Sequence, residues 1–152
     1  MSEITIAPGD PRDPAATALL QASHALMQEL FDPEDNHYLS IDALCTPDIR
    51  FLVARVDGDI RGCCALKIYD GYGEIKSMFV DPAARGNGLA QKLLSEIEST
   101  ARREHLPALR LETGDLLYAA HRVYHANGFQ ICGPFGAYVE SKSSLFMEKL
   151  LP

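Results

Sequence analysis

The stretch that decides the fold runs from Glu74 to Leu94 and reads EIKSMFVDPAARGNGLAQKLL. Its first part, residues 75–80, is rich in aromatic and aliphatic side chains and predicts a buried strand. Pro82 ends this strand, because proline donates no ladder hydrogen bond. Beyond it, apolar residues recur at the spacing of an amphipathic helix, at Leu89, Leu93, Leu94, Ile97 and Ala101. The stretch therefore predicts a strand, a glycine-rich turn and a helix.

The turn, Arg85-Gly86-Asn87-Gly88, has the composition of an anion site. The N-terminus of a helix leaves backbone N–H groups unpaired and carries the positive end of the helix dipole. Glycines allow an anion to approach the backbone, and Arg85 adds a planar cation that matches phosphate oxygens. The turn is neither a P-loop, since no Lys-Ser/Thr pair follows, nor the dinucleotide pattern of three spaced glycines. It predicts a cradle for a diphosphate.

Composition limits the class of protein and its partners. The 152 residues fit one domain, 1–152, with a substantial core. The net charge of −7 argues against a nucleic-acid partner, which would need a basic face.

The first fifteen residues are polar and proline-rich, and no apolar run could span a bilayer, so we expect a cytoplasmic protein without a membrane partner. Five dispersed histidines predict no metal site, and four cysteines are expected as reduced thiols.

The rest of the chain alternates strand and helix patterns. Strands are predicted at 3–7, 51–56, 60–69, 108–113, 129–132 and 144–150, and helices at 14–30, 87–103 and 115–126, with a short helix near 40–44. Asp57-Gly58 and the turn at 70–73 make an antiparallel meander, with Gly62 as a candidate bulge. The helix after strand 74–80 makes the next strand its parallel neighbour through a right-handed crossover. The prediction is an α/β fold with one mixed sheet and helices on both faces.

Two separated motifs resemble one known family. Arg85-x-x-Gly88-x-Ala90, after a strand that ends in Phe79-Val80-Asp81-Pro82, is similar to the signature of the GNAT superfamily of N-acetyltransferases. Residues 119–129, AAHRVYHANGF, resemble the helix and following strand of the same family, in the same order and at the usual separation. The tail from Gly133 resembles a bacterial subgroup of acetyltransferases whose substrate is unsettled.

The resemblance implies a fold, a co-substrate and a set of contacts. In the family, two central parallel strands separate at one end, and the pantetheine arm of acetyl-CoA lies in the gap. The residues implied for binding the cofactor are Met78, Phe79 and Val80 for the pantetheine, Arg85, Gly86, Asn87, Gly88, Leu89 and Ala90 for the diphosphate, and Tyr124. Backbone N–H groups of strand 77–80 are the expected oxyanion donors. The implied reaction is direct attack of a primary amine, of a small molecule or amino acid, on the thioester.

The reaction also needs a base and an acid. Tyr124 matches the family's tyrosine, and a phenol suits the protonation of a leaving thiolate. Glu74, at the start of the organising strand, is favoured as the base, and Glu112 on the parallel neighbour is the competitor. A carboxylate partly buried between strands would have a raised pKa.

The sequence says least about the residues that bind the acceptor substrate. We expect it to be formed by the loop after the first helix and by residues 133–143, with His37, Tyr38, Phe135 and Tyr138 as candidate contacts. Two other functions stay open: acetylation of a protein lysine or N-terminus, and a sensor that binds acyl-CoA without turnover. Homodimers are common in the family, but no segment here indicates an interface.

Overall fold

The computed structural model describes residues 2–152, which form one seven-stranded sheet and three α-helices. The strands are β1 (Ile4–Pro8), β2 (Ile49–Val56), β3 (Asp59–Tyr69), β4 (Tyr72–Val80), β5 (Ala108–Gly114), β6 (Gln130–Cys132) and β7 (Ser144–Leu150). The helices are α1 (Pro14–Leu30), α2 (Leu89–Arg103) and α3 (Tyr118–Ala126). The sheet order is β1-β2-β3-β4-β5-β7-β6, with β4 and β5 parallel and all other neighbours antiparallel. The predicted mixed sheet is confirmed.

Local signals explain where the helices begin. Asp13 caps α1 by accepting a hydrogen bond from the N–H of Ala15 at 3.0 Å. Helix α2 begins at Leu89, two residues later than predicted, because Gly88 has the left-handed conformation. Helix α3 begins at Tyr118 rather than at 115, because a turn closed by the Leu117 N–H on the Gly114 carbonyl precedes it. The short helix predicted near 40–44 is a 3₁₀ turn at Ala43–Cys45.

The helices cover both faces of the sheet. Helix α1 packs one face and α2 packs the other, each through buried aliphatic side chains. Cys63 and Cys64, adjacent on β3, belong to the α1 cluster and the α2 cluster respectively, as the alternation of a strand requires. The four cysteines are unbridged in the described part of the chain. Within residues 2–152, no helix is long and apolar enough to cross a membrane.

The two central parallel strands pair only at one end. Their register joins Gly73 to Leu109, Glu74 to Arg110 and Ile75 to Leu111, after which both strands continue without pairing to each other. A bulge in β4 follows directly: Cys63 pairs with Phe79 and Ala65 with Lys76, so that Ser77 and Met78 both oppose one residue of β3. Ser77 has a positive φ of 55°. The separation that the family resemblance implied is therefore present.

Candidate active site

A groove of about 760 Å³ lies beside the unpaired part of β4, with the N-terminal end of α2 and one side of α3 as its other walls. Of the residues predicted to bind the cofactor, it is lined by Met78, Phe79, Val80, Arg85, Gly86, Gly88, Leu89, Ala90 and Tyr124. These residues are spread over more than forty positions of sequence, and the fold brings them to one surface.

The turn at the start of α2 is open for an anion. Gly86 and Gly88 have φ values of 87° and 74°, and a Cβ added at either would meet no atom within 4 Å. Among residues 2–152, no side chain caps α2, so the N–H groups of its first turn remain available to a ligand. Arg85 is exposed at the rim and makes no ion pair with any described residue. The residues present fit the diphosphate of a coenzyme A group.

Asn87 is the one candidate cofactor contact that is not part of the groove lining. Its side-chain Nδ2 donates to the Ala84 carbonyl at 2.9 Å and so braces the turn from behind. Conversely, α3 and the residue after it supply groove residues that sequence reasoning missed, among them Tyr118, Arg122 and Asn127. Arg122, two residues before Tyr124, is exposed and could have been found only by placing the helix against the turn in three dimensions.

The walls of the groove suit an extended arm. The edge of β4 that faces β5 has no strand partner beyond Ile75, which leaves backbone N–H and C=O groups for a ligand to pair with. Apolar residues of β4, of α3 and of the turn before α3 line the groove, including Met78, Val123 and Leu117. An arm with amide groups along an apolar chain would find matching partners on both sides.

A second, smaller cavity of about 110 Å³ joins the groove. The two share the lining residues Met27, Met78, Leu117, Ala120 and Tyr124. The smaller cavity extends from this junction to the loop after α1, where the two candidate acceptor contacts His37 and Tyr38 line it. Its polar lining also includes Asp35, Lys76, Ser77 and Glu112. A group bound in the groove and a second molecule in the cavity would meet at Tyr124.

Glu112 lines the cavity from β5. Burial raises the pKa of its carboxyl, and this outweighs the opposing effects of the Ser144 hydroxyl and of the nearby charges of His37 and Lys76. The Ser144 hydroxyl donates to Oε2 at 2.8 Å, whereas Oε1 has no partner among the described residues. Glu112 therefore presents a carboxylate oxygen whose affinity for a proton is higher than usual.

Tyr124 stands at the junction of the two spaces. Burial raises the pKa of its phenol strongly, and the neighbouring Cys64 and Glu112 raise it further. The hydroxyl consequently stays protonated at neutral pH. It makes no hydrogen bond to any residue in 2–152, although the ring packs against Phe129 with centroids 5.8 Å apart. The phenolic proton of Tyr124 is therefore not used in a hydrogen bond within the described chain, and the residue lines both the groove and the smaller cavity.

The structure places Glu74, the favoured candidate for the base, outside the lining of the cavity. Glu74 is only 3% exposed. Its Oε2 accepts a hydrogen bond from the Tyr138 hydroxyl at 2.5 Å and lies 3.4 Å from Nζ of Lys76. The carboxylate is thus already engaged by the protein, behind Lys76, whereas Glu112 faces the space.

Phe135 and Tyr138 also lie outside the cavity that they were predicted to line. The Phe135 ring packs against those of Tyr72, Tyr138 and Phe146, with centroids 5.1–5.9 Å apart. Tyr138 is tied to Glu74, and burial followed by the charge of Glu74 raises the pKa of its phenol. The aromatic side chains of this part of the 133–143 segment therefore pack against one another and do not line the cavity.

A mixed sheet that separates around an open helix N-terminus, with a groove and a small cavity meeting at a tyrosine, defines an acyltransferase that uses an acyl thioester of coenzyme A. Residues 16–129 match the model of the acetyltransferase (GNAT) family. The chain belongs to this family and is an acetyltransferase acting with acetyl-CoA.

Individual proteins agree with this assignment. The chain is 45% identical over 155 residues to the IAA acetyltransferase of Azospirillum brasilense, covering 99% of this chain and 100% of that one. A Klebsiella pneumoniae structure, assigned by name to the acyl-CoA N-acyltransferases, is 35% identical with a TM-score of 0.82, covering 97% of each chain. The PaiA N-acetyltransferase of Thermoplasma acidophilum, solved with coenzyme A, has a TM-score of 0.77 at 19% identity, covering 98% of this chain and 99% of that one, a likeness of fold alone.

Proposed function

We propose that this protein transfers the acetyl group of acetyl-CoA to a primary amine of a small molecule, with Glu112 as the base and Tyr124 as the acid. The observation that carries the proposal is the junction of the cofactor groove with a small cavity at Tyr124, with Glu112 on the cavity wall. Acetyl-CoA supplies an activated acetyl group as a thioester. The residues of this chain bind it, position the amine and move the protons.

Glu112 provides the step that starts the reaction. An amine in water is mostly an ammonium, which has no lone pair for attack. Oε1 of Glu112 takes one proton from that ammonium, and the raised pKa of the carboxyl makes it a better acceptor than an ordinary glutamate. We prefer Glu112 to Glu74 for this role, because Glu74 does not line the cavity and its Oε2 is paired with Tyr138 and Lys76.

Tyr124 completes the transfer. As the C–S bond breaks, its phenol gives a proton to the leaving sulfur, and it regains a proton from the nitrogen that has formed the new C–N bond. One proton is released overall for each ammonium acetylated. The uncommitted hydroxyl of Tyr124 supports this role, because no competing hydrogen bond within the described chain has to be broken.

The developing oxyanion would be held by backbone N–H groups of β4 beyond the bulge. The bulge at Ser77 and Met78 separates this segment from β5, so that its free edge faces the groove. Fixed donors of this kind stabilise charge in the transition state more than in the ground state.

The proposal is tested by measuring thiol release from acetyl-CoA across a panel of small primary amines, with the acetylated products identified by mass. We expect acceptor-dependent release that Glu112→Gln and Tyr124→Phe each reduce by roughly 100-fold. Binding of acetyl-CoA with no acceptor-dependent release across the panel would instead support a sensor that binds acyl-CoA. Preferential release with lysine-containing peptides would support a protein acetyltransferase.

A further inference from the structure

The charged residues of the acceptor cavity restrict the kind of amine that can bind. The cavity lining includes two carboxylates, Asp35 and Glu112, and one side chain with a permanent positive charge, Lys76. No other lysine or arginine among residues 2–152 lines it. A third carboxylate, Glu74, lies buried directly behind Lys76. The electrostatic character of the cavity therefore depends on whether Lys76 is free to bind a substrate.

Lys76 is held by the protein. Its Nζ donates to the His37 carbonyl at 2.8 Å and to the Tyr138 hydroxyl at 2.9 Å, and it lies 3.4 Å from Oε2 of Glu74. Two of the three N–H donors of the ammonium are therefore used in hydrogen bonds, and the Glu74 carboxylate is within ion-pair distance. The side chain is 10% exposed, so that water cannot easily replace the partners that it would lose. A substrate anion that paired with Lys76 would compete with the carboxylate of Glu74.

Two oxygen atoms of the lining residues have no hydrogen-bond partner in the described part of the chain. The hydroxyl oxygen of Ser77 is buried and has no hydrogen-bond partner among the described residues, and Ser77 lines the cavity. A buried polar atom without a partner calls for one from a ligand or a water molecule. Oε1 of Glu112 is likewise without a partner in residues 2–152. An ammonium carries three donors and no acceptor, and both oxygens can accept from it.

We propose that the acceptor is a primary amine with no carboxylate next to the amino group, so that amines are substrates and the corresponding amino acids are not. The inference rests on the function proposed above. An α-carboxylate would bring a negative charge to within a few ångströms of the ammonium, and so close to Glu112, with no free lysine or arginine to pair with it. Like charges placed together in this way weaken binding.

The test compares amines with their α-carboxylated counterparts, so that the side chain is held constant: tyramine with tyrosine, histamine with histidine and phenethylamine with phenylalanine. Amino-acid amides serve as controls that keep the bulk without the charge. The assay is run at about pH 8, where an ordinary imidazole is uncharged. We expect kcat/KM to be roughly 100-fold or more higher for the amine of each accepted pair, with the amides close to the amines.

A variant of the cavity lining tests whether repulsion by the carboxylates is the reason that amino acids are poor substrates. Asp35→Asn removes one of the lining carboxylates and should reduce the ratio of the two kcat/KM values by about fivefold. Glu34→Gln, one residue away and outside the cavity lining, should leave the ratio unchanged. The ratio is insensitive to a general loss of folded enzyme, because both substrates are measured on the same preparation.

Amino acids accepted as well as, or better than, their paired amines would overturn the inference while leaving the amine acetyltransferase intact. An unchanged ratio in Asp35→Asn would also contradict it. Absence of thiol release with every member of every pair, despite binding of acetyl-CoA, would overturn the proposed function itself, and the inference with it.

Discussion

Two carboxylates compete for the role of the base, and their surroundings decide between them. Glu112 lines the cavity, whereas Glu74 does not, and Oε2 of Glu74 accepts from Tyr138 and lies beside the charged Lys76. The sequence placed the two residues on the two parallel strands and favoured Glu74 over Glu112. Reversing this order required the contact between Glu74 and Tyr138, which are 64 positions apart.

Glu112→Gln should lower kcat by roughly 100-fold without destabilising the protein. The folded protein holds the Glu112 proton more tightly than the unfolded chain does, so the stability contributed by this group falls as the pH rises from the ordinary pKa of 4.5 through the raised pKa. Above that window the ionised carboxylate costs stability, and glutamine removes the cost while still accepting from Ser144. Thermal unfolding of the variant at neutral pH should give an unchanged or higher Tm. A marked drop in Tm would contradict the inference that the ionised Glu112 carboxylate costs stability.

The same group sets the pH dependence of turnover. Glu112 acts in its ionised form, so the rate should fall as the pH decreases through a pKa above 4.5. The measurement is the pH profile of kcat at saturating concentrations of both substrates. The acid limb should be lost in the residual activity of Glu112→Gln. An identical acid limb in that variant would assign the ionisation to another group.

Tyr124→Phe separates catalysis from stability at a second position. The hydroxyl has no partner within the described chain, so its removal should leave the free energy of unfolding close to that of the wild type. The loss of the proton donor should lower kcat by roughly 100-fold, with little change in the KM for acetyl-CoA. Stopped-flow or steady-state kinetics with chemical denaturation of the same samples provide the comparison. A variant with normal kcat would remove the tyrosine from the chemistry.

At the scale of the element, the bulge in β4 explains why the groove exists. The last parallel pair, Ile75 with Leu111, is followed within two residues by Ser77 at a positive φ, and β4 does not return to β5. Serine has no particular preference for the left-handed region, so the sequence could not have located this bulge. The separation itself was expected only from the resemblance to the family, whereas the strand, turn and helix around it followed from residue patterns alone.

Gly86→Ala, with Gly71→Ala as a matched control, tests whether the turn before α2 binds the diphosphate. Gly86 and Gly71 have nearly equal φ values of 87° and 85°, and a Cβ at either meets no atom within 4 Å. Gly86→Ala and Gly71→Ala should therefore lose similar stability, about 1 kcal/mol each, by denaturant unfolding. Only Gly86 lines the groove, so only Gly86→Ala should raise the KM for acetyl-CoA, by roughly tenfold. Equal KM values in the two variants would place the diphosphate elsewhere.

At the scale of the whole molecule, one buried network joins three distant parts of the chain. Lys76 on β4 contacts the loop after α1 through the His37 carbonyl, and it contacts the segment before β7 through Tyr138. Glu74 closes the network from the same strand as Lys76. Sequence analysis predicted that both of these segments would approach the acceptor, but their roles differ: the first lines the cavity, and the second supports it through Tyr138.

Glu74→Gln should reveal a structural role. The change leaves Lys76 buried with one charged partner fewer, and breaking a buried ion pair on one side costs about 3 kcal/mol. We expect the free energy of unfolding to fall by about that amount, while kcat at a temperature well below the lowered Tm stays within a factor of about three of the wild type. A large loss of kcat in a stable variant would return Glu74 to the mechanism.

The measurement that most directly tests the account is a crystal structure of the complex with acetyl-CoA. We expect the diphosphate to lie on the N–H groups of the turn at Gly86–Gly88 and the arm to lie along the free edge of β4. We also expect the thioester sulfur within roughly 3.5 Å of the Tyr124 hydroxyl, at the junction with the cavity that Glu112 lines. A cofactor bound outside the gap between β4 and β5, or with its sulfur far from Tyr124, would contradict it.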